Sequence, residues 1–280
     1  NPCVPGSIPG GTTKKTLSFS KPFLYLLNYY SHHIRNSTPY ATMQLQVIAY
    51  AHNGFTQKFG IPRQSREDSC IETQIIFTPA YRVRESLRGI EDFSHLWLLW
   101  GFSEAMRREG NEVRGEELVW SPTVRPPRLG GNKRMGVFAT RSPFRPNPIG
   151  LTSVRLLRVE ETSNEGLVLV VSGADLMDGT PIYDIKPYLT FSDSHPDAKS
   201  GFAEATQDYC LLMQIDDELL QQSVQKGCPW NAIYEILCQD PRPGYQHDPE
   251  RLYHLDYANW AVDFRVENAT VCVKKLYLLK

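Results

Sequence analysis

The chain has 280 residues, a formal net charge of −1, and a composition that is 41% hydrophobic and 22% charged. This is the make-up of an ordinary globular protein of one or two domains with enough residues for a full core. The near-neutral balance argues against a generic nucleic-acid coating protein, and no run of about 18 apolar residues marks a membrane span. The six cysteines (Cys3, Cys70, Cys210, Cys228, Cys238 and Cys272) form no Cys-x-x-Cys pair and have no histidine at zinc spacing. They read as reduced thiols in a cytosol-like compartment.

Residues 1–42 differ in character from the remainder of the chain. They hold Pro/Gly/Ser/Thr clusters, a short apolar run at 23–27 and paired His32 and His33, and no acid occurs before Glu67. Such a leader reads as a transit peptide or as sequence upstream of a start at Met43, and it is expected to lack order. Gly6 and Gly11 have Walker-like spacing, but Thr12 and Thr13 stand where Lys-Ser/Thr is required, so no P-loop is expected.

From Met43 the pattern becomes structural. Residues 44–51 alternate, with Leu45 and Val47 on one face, which predicts a strand. Residues 60–64 read as a loop, 70–77 as a β-branched strand, 81–93 as at most a short helix, and 93–102 as a buried strand. A charged loop is expected at 107–117, then a strand at 135–140. Residues 151–160 and 167–172 predict a hairpin. Residues 175–187 read as a loop because Asp178-Gly179 is a turn signal. A boundary is expected near 192–201. Beyond it, a strand at 209–215, helices at 216–226 and 230–238, a rigid turn at 240–245 and strands at 258–266 and 271–278 form a small α+β unit. The larger piece, rich in short strands, is expected to be a β-barrel or sandwich.

The most informative stretch is 121–151. It carries six prolines, four glycines and six Lys/Arg without an acid; the acid-free region runs from 118 to 159 with eight positive charges. Proline and glycine specify shaped, stiff loops, and guanidinium groups on such a loop suit a polyanion. Several chemistries lack their signatures. There is no Gly-x-Gly-x-x-Gly after a strand, no Gly-x-Ser-x-Gly elbow and no histidine pair at metal spacing, so no metal is expected. His95, alone in Phe-Ser-His-Leu-Trp, reads as a core or interface histidine.

Residues 120–151 resemble the TrmO (TsaA-like) tRNA methyltransferases. So do Ile61-Pro-Arg-Gln64, Arg88-Gly-Ile-Glu-Asp-Phe-Ser-His-Leu-Trp97, and Asp175-Leu-Met-Asp-Gly-Thr-Pro-Ile-Tyr-Asp-Ile-Lys-Pro-Tyr188. Asp240-Pro-Arg-Pro-Gly-Tyr245 looks like a motif of that family's C-terminal domain. The resemblance runs from about Met43 to the C-terminus. It implies a mainly β protein: a single-sheet, β-barrel-like domain over 43–200 followed by a small α+β domain over 201–280. The implied activity is S-adenosylmethionine-dependent methylation of the six-position nitrogen of threonylcarbamoyladenosine, beside the anticodon at position 37 of tRNA. The implied assembly is a cytoplasmic homodimer with the cofactor near the subunit interface; an organellar location is expected only if the leader is a genuine transit peptide.

Position by position, the resemblance assigns the cofactor to Pro62, Arg63, Gln64, Ser103, Glu104, Arg141, Leu151, Asp178, Gly179, Thr180 and Pro181. The tRNA anticodon loop falls to Arg125, Arg128, Lys133, Arg134, Arg145, Asn147 and Arg242, because guanidinium forks suit phosphates and anticodon loops splay their bases. The reaction is in-line displacement at a sulfonium methyl, governed by positioning. A carbamoylated amine is a poor nucleophile, so Asp178 and Asp184 are the carboxylates expected to assist proton removal. Against these stand an ordinary Asp-Gly turn at Asp178 and an ion pair between Asp184 and Lys186. Two other readings remain: a non-catalytic module binding S-adenosylmethionine and RNA, and a binder of some other polyanion.

Overall fold

A computed structural model describes residues 44–279 apart from 63, 67, 103–119, 127–132, 207–209, 244–245 and 247. The expectations for the leader, for the charged loop at 107–117, and for Arg63, Ser103, Glu104 and Arg128 lie outside the described residues.

Six strands close into a barrel: β1 (Ala49–His52), β2 (Glu72–Phe77), β3 (His95–Gly101), β6 (Ile149–Thr162), β7 (Gly166–Ser172) and β8 (Thr180–Pro187), in the order β1-β2-β7-β6-β3-β8. Every neighbouring pair is antiparallel. The ring shuts where β1 pairs with β8, Ala49 opposite Ile182 and Ala51 opposite Thr180. Alternation explains what fills it. Odd residues of β1 and even residues of β3 and β6 turn inward, so Ala49, Ala51, Leu96, Leu98 and Val154 meet Ile75, Leu169, Val171 and Ile182 in one apolar cluster. Burying each of the larger side chains stabilises the barrel by about 1.5–3 kcal/mol.

The strand order fixes where the loops lie. The connections β1–β2, β3–β6 and β7–β8 all leave one end of the barrel, and β2–β3 and β6–β7 leave the other. At the first end Trp100 lies inward, 8% exposed, with its indole against the backbone of Gly150. Any Cβ at 150 would collide with that ring. The long β3–β6 connection carries a two-stranded ribbon, β4 (Thr123–Val124) with β5 (Met135–Gly136).

After the single helical turn α1 (Thr190–Asp193) comes a second sheet, β10 (Tyr253–Tyr257), β11 (Trp260–Glu267), β12 (Thr270–Leu278) and β9 (Leu212–Gln214), in that order. Helices α2 (Asp217–Gln225) and α3 (Trp230–Cys238) precede its hairpins. Asp216 caps α2 by accepting from the Leu219 amide at 3.0 Å. Apolar spacing in α3 buries Ile233, Ile236 and Leu237 against Leu255, Val262 and Phe264, and this core also takes in Phe55 and Ile71 from the β1–β2 connection.

The mainly β architecture and the two C-terminal helices agree with the sequence reading. Residues 81–93, read as at most a short helix, hold the 3₁₀ turns Arg84–Leu87 and Ile90–Asp92 after the one at Pro79–Tyr81, with Gly89 at φ 84° between the last two. Four local expectations are corrected. The strand expected at 135–140 shrinks to β5 and a 3₁₀ turn, Val137–Ala139. The loop expected at 175–187 is largely strand β8; Pro181 and Pro187 sit near its two ends, where proline disturbs a ladder least. Strand β10 has no counterpart in the sequence reading, because the turn after it uses Ala258 at φ 52° rather than glycine or proline. Finally, not every cysteine is a reduced thiol. Cys210 and Cys238 form a disulfide, their Cα atoms 4.9 Å apart, where the start of β9 meets the end of α3 and the Leu211 amide bonds the Cys238 carbonyl at 2.8 Å. Cys70, Cys228 and Cys272 are free, and burial pushes the thiols of Cys70 and Cys228 up to about 11.

The Gly150–Trp100 contact yields a stability prediction. Gly150→Ala forces the indole or strand β6 to shift and lowers the unfolding free energy by about 1–3 kcal/mol, the usual cost of overpacking. Urea unfolding of the two proteins checks this, and equal midpoints would show that the ring moves freely.

Candidate active site at the loop end of the barrel

The three connections at one barrel end bring distant sequence together. Ser65 Oγ donates to the Ser153 carbonyl at 2.6 Å, which lays the 61–66 loop across β6. The next side chain back, Gln64, accepts from Arg141 Nη1 through Oε1 at 2.8 Å. Arg141 comes from the β3–β6 connection, so this bond ties two of the three loops.

The third loop is held by a buried hydrogen-bond chain. Trp100 Nε1 donates to Thr152 Oγ1 at 3.0 Å, and that hydroxyl donates to Asp175 Oδ1 at 2.7 Å. Burial raises the Asp175 carboxyl above the usual carboxylate range, opposed by the Thr152 hydrogen bond and by the positive field of Arg141. Arg141 thus bonds Gln64, and its positive field reaches Asp175. The sequence motif at 175–188 includes Asp175 but assigns it no role, and Thr152 belongs to no assigned set. The legible sign was a hydroxyl at an inward position of β6, between Gly150 and Val154.

Asp178 begins the return into β8. Its Oδ1 accepts from the Asn53 amide at 3.1 Å and lies 3.2 Å from His52 Nδ1. Its own amide donates to the Phe55 carbonyl at 2.9 Å, and the Gly179 amide to the Ala51 carbonyl at 2.8 Å. Gly179 sits at φ 75°, and an added Cβ there would meet nothing within 4 Å, so the turn presents open backbone. Thr180 is buried and its hydroxyl donates to the Met177 carbonyl. Pro181 pairs with Tyr50, Pro62 is half-buried, and Leu151 points out of the barrel, 53% exposed. Asp184 stands apart, opposite Leu99, with its carboxylate on Lys186 Nζ at 2.8 Å.

The basic side chains divide into two kinds. Arg125, Lys133 and Arg134 are exposed on the β4–β5 ribbon, and Arg134 Nη1 also donates to Thr123 Oγ1 at 3.3 Å. Arg145 turns back into its own loop and donates to the carbonyls of Ser142, Thr140 and Val137 at 2.9, 2.5 and 3.4 Å. Asn147 is exposed, and its carbonyl accepts from the Ile149 amide. Arg242 is 8% exposed in the second core, with Nε and Nη2 donating to Asp240 at 2.7 and 2.9 Å. Among the described residues no group of three or more His, Cys, Asp or Glu stands together as a metal site, and no helix is long and apolar enough to cross a membrane.

The geometry thus gathers a guanidinium, an amide, a carboxylate and an open glycine turn at one barrel end, where the β3–β6 connection also carries the cationic ribbon. Residues 50–194 match the tRNA-methyltransferase O N-terminal domain, and residues 205–278 match the TrmO C-terminal domain. The chain belongs to the TrmO family. A relative from Escherichia coli K12, named tRNA (adenine(37)-N6)-methyltransferase, is 39% identical over 230 residues, spanning 81% of this chain and 92% of its own. A Pseudomonas aeruginosa protein named as an S-adenosylmethionine-dependent methyltransferase is 37% identical over 218 residues, 76% of this chain and 87% of its own. A crystal structure of TrmO from Pseudomonas aeruginosa superposes with a TM-score of 0.65 at 29% identity, covering 84% of this chain and 99% of that one. The barrel from Tyr50 onward falls within the first TrmO domain, and strands β9–β12 fall within the second.

The raised Asp175 carboxyl sets a pH dependence. A carboxyl whose folded-state pKa lies above its unfolded value holds its proton more tightly when folded. Its contribution to stability is therefore greatest below the unfolded pKa and declines as pH rises through the folded one. Asp175→Asn is expected to flatten that decline. Urea midpoints from about pH 3.5 upward measure it, and parallel curves for the two proteins would contradict the assignment.

Proposed function

We propose that the protein transfers a methyl group from S-adenosylmethionine to the six-position nitrogen of threonylcarbamoyladenosine at position 37 of tRNA. The coarser statement rests on TrmO membership: it is a tRNA methyltransferase acting on N6 of adenine 37. The threonylcarbamoyl group in this reading is supported by the motif resemblance alone; what supports a donor site is the Gln64–Arg141 bond, which ties two connections at the barrel end where the Asp178 turn also lies.

The chemistry of these groups fits the donor. The Arg141 guanidinium suits its carboxylate, the Gln64 amide and Asp178 carboxylate suit its amino and hydroxyl groups, and Leu151 gives apolar surface for adenine. Pro62, Gly179, Thr180 and Pro181 shape the two turns that border them. Arg63, Ser103 and Glu104 complete the assigned set. When bound, the donor supplies a methyl group already activated on a sulfonium. The protein's part is to aim a weak nucleophile along the line of displacement, and stiff loops achieve that because little motion remains to misalign them. Asp178, its side chain 39% exposed, is the carboxylate we assign to receive the proton the nitrogen releases. Asp184 receives no catalytic role, because Lys186 holds it on the outer wall.

For tRNA we assign Arg125, Lys133 and Arg134, with Arg128 on the same connection, as phosphate contacts. Arg145 shapes the loop from within. Asn147 stays in the tRNA set at the exposed loop end. Arg242 stiffens the second domain through Asp240. We further propose a homodimer that covers the outer face carrying Leu151, Leu157 and Phe191, which are 53%, 40% and 90% exposed. The setting we propose is the cytoplasm.

Labelled S-adenosylmethionine with tRNA carrying or lacking threonylcarbamoyladenosine tests the reaction. Transfer is expected only to the modified tRNA; equal transfer to both would remove the threonylcarbamoyl requirement, and transfer to neither would sink the reaction. Arg141→Ala is expected to weaken donor binding at least about tenfold by calorimetry, the scale of one charge-assisted contact. Arg125→Ala is expected to leave donor affinity intact and to reduce the salt dependence of tRNA binding by about one counterion.

A further inference from the structure

Two large aromatic side chains at the base of the basic ribbon have no place in the core or in the donor site. Phe138 is 76% exposed and Trp120 is 44% exposed. Their rings face each other in near-parallel orientation, centroids 6.2 Å apart at 27°. Two large exposed rings set side by side mark an interaction surface rather than a scattered apolar residue.

The backbone beneath Phe138 is unusually well held. Its neighbour Val137 is buried, 1% exposed, and the Val137 amide donates to the Pro122 carbonyl at 3.0 Å. The Arg145 guanidinium bonds the carbonyls of Val137 and Thr140, on either side of the exposed ring. Ser121, next to Trp120, donates its amide to the Phe144 carbonyl at 3.2 Å. The two rings are therefore displayed on a rigid pedestal. A rigid aromatic surface loses little entropy when something stacks on it.

Charge selects the occupant. The ribbon that carries the pair at one end carries Arg125 and Arg134 at the other, where Val124 pairs with Met135. No acid occurs anywhere from 118 to 159. A flat apolar face beside fixed positive charge is complementary to an unpaired nucleotide, whose base stacks while its phosphate meets a guanidinium. A second copy of this chain would bring the same cationic ribbon against itself.

We propose that Trp120 and Phe138 form a stacking platform for an unpaired base of the tRNA anticodon loop, splayed from its neighbours and gripped while adenosine 37 is presented. This rests on the tRNA methyltransferase reading and adds to it a positioning role carried by stacking, independent of phosphate charge.

The test combines tRNA binding by anisotropy at two salt concentrations with steady-state methyl transfer. Trp120→Ala and Phe138→Ala are each expected to weaken tRNA binding and raise its KM about tenfold, the usual yield of one base–aromatic stack. Donor affinity and the salt slope should stay at wild-type values. Phe138→Tyr should restore binding, whereas Phe138→Leu, which keeps apolar bulk without the ring, should not. Wild-type tRNA affinity and KM in Phe138→Ala, alongside normal wild-type activity, would overturn the platform and leave the methyltransferase reading standing. A variant that shifts from dimer to monomer on size exclusion while keeping tRNA affinity would assign the face to a subunit interface and overturn it too. A wild-type protein that binds tRNA without transferring methyl would defeat the reaction instead, and the platform would be judged by the binding arm alone.

Discussion

The ladder between β1 and β8 sets the layout of the barrel end. It turns an open antiparallel sheet into a ring and thereby fixes which connections share an end. With the ring closed, the β1–β2, β3–β6 and β7–β8 loops leave the same end of the barrel. A candidate site made from residues 64, 141 and 178 is then a consequence of topology and needs no deep cleft in any single loop.

Rigidity is added at each loop by side chains turned inward. Trp100 closes the barrel end over Gly150 and passes a hydrogen bond through Thr152 to Asp175. Buried chains of this kind are valuable only when every member is satisfied, because an orphaned donor or acceptor costs about 1–3 kcal/mol. Arg145 plays a comparable part in the β3–β6 loop by capping three carbonyls. Methyl transfer by positioning depends on such stiffness, since a small drift in a loop moves the nucleophile off the line of displacement.

Charge is distributed unevenly along the chain. The protein is nearly neutral as a whole, yet one connection holds an uninterrupted cationic run. Within it the arginines divide: Arg125 and Arg134 face solvent, Arg141 reaches across to Gln64, and Arg145 braces the loop. Exposed positive charge and local bracing of the loop thus come from neighbouring residues of one type. Guanidinium groups can do both because their fork of donors matches a phosphate and a set of backbone carbonyls equally well.

The mainly β character, the two C-terminal helices and the stiff basic loop are legible in the amino-acid order alone. These arise from local periodicity, capping residues and Pro/Gly content, which act over a few residues and can be read in order. That order also carries motifs specific enough to mark the TrmO family. That residues 180–187 form the strand closing the barrel emerges only on folding, because Asp178-Gly179, Pro181 and Pro187 imitate a loop until partners on both sides supply their hydrogen bonds. Only folding reveals Asp175 with Thr152, the binding of Arg242 to Asp240, and the Cys210–Cys238 bridge. Each joins residues whose chemistry is ordinary alone and takes on meaning from a neighbour that folding brings near.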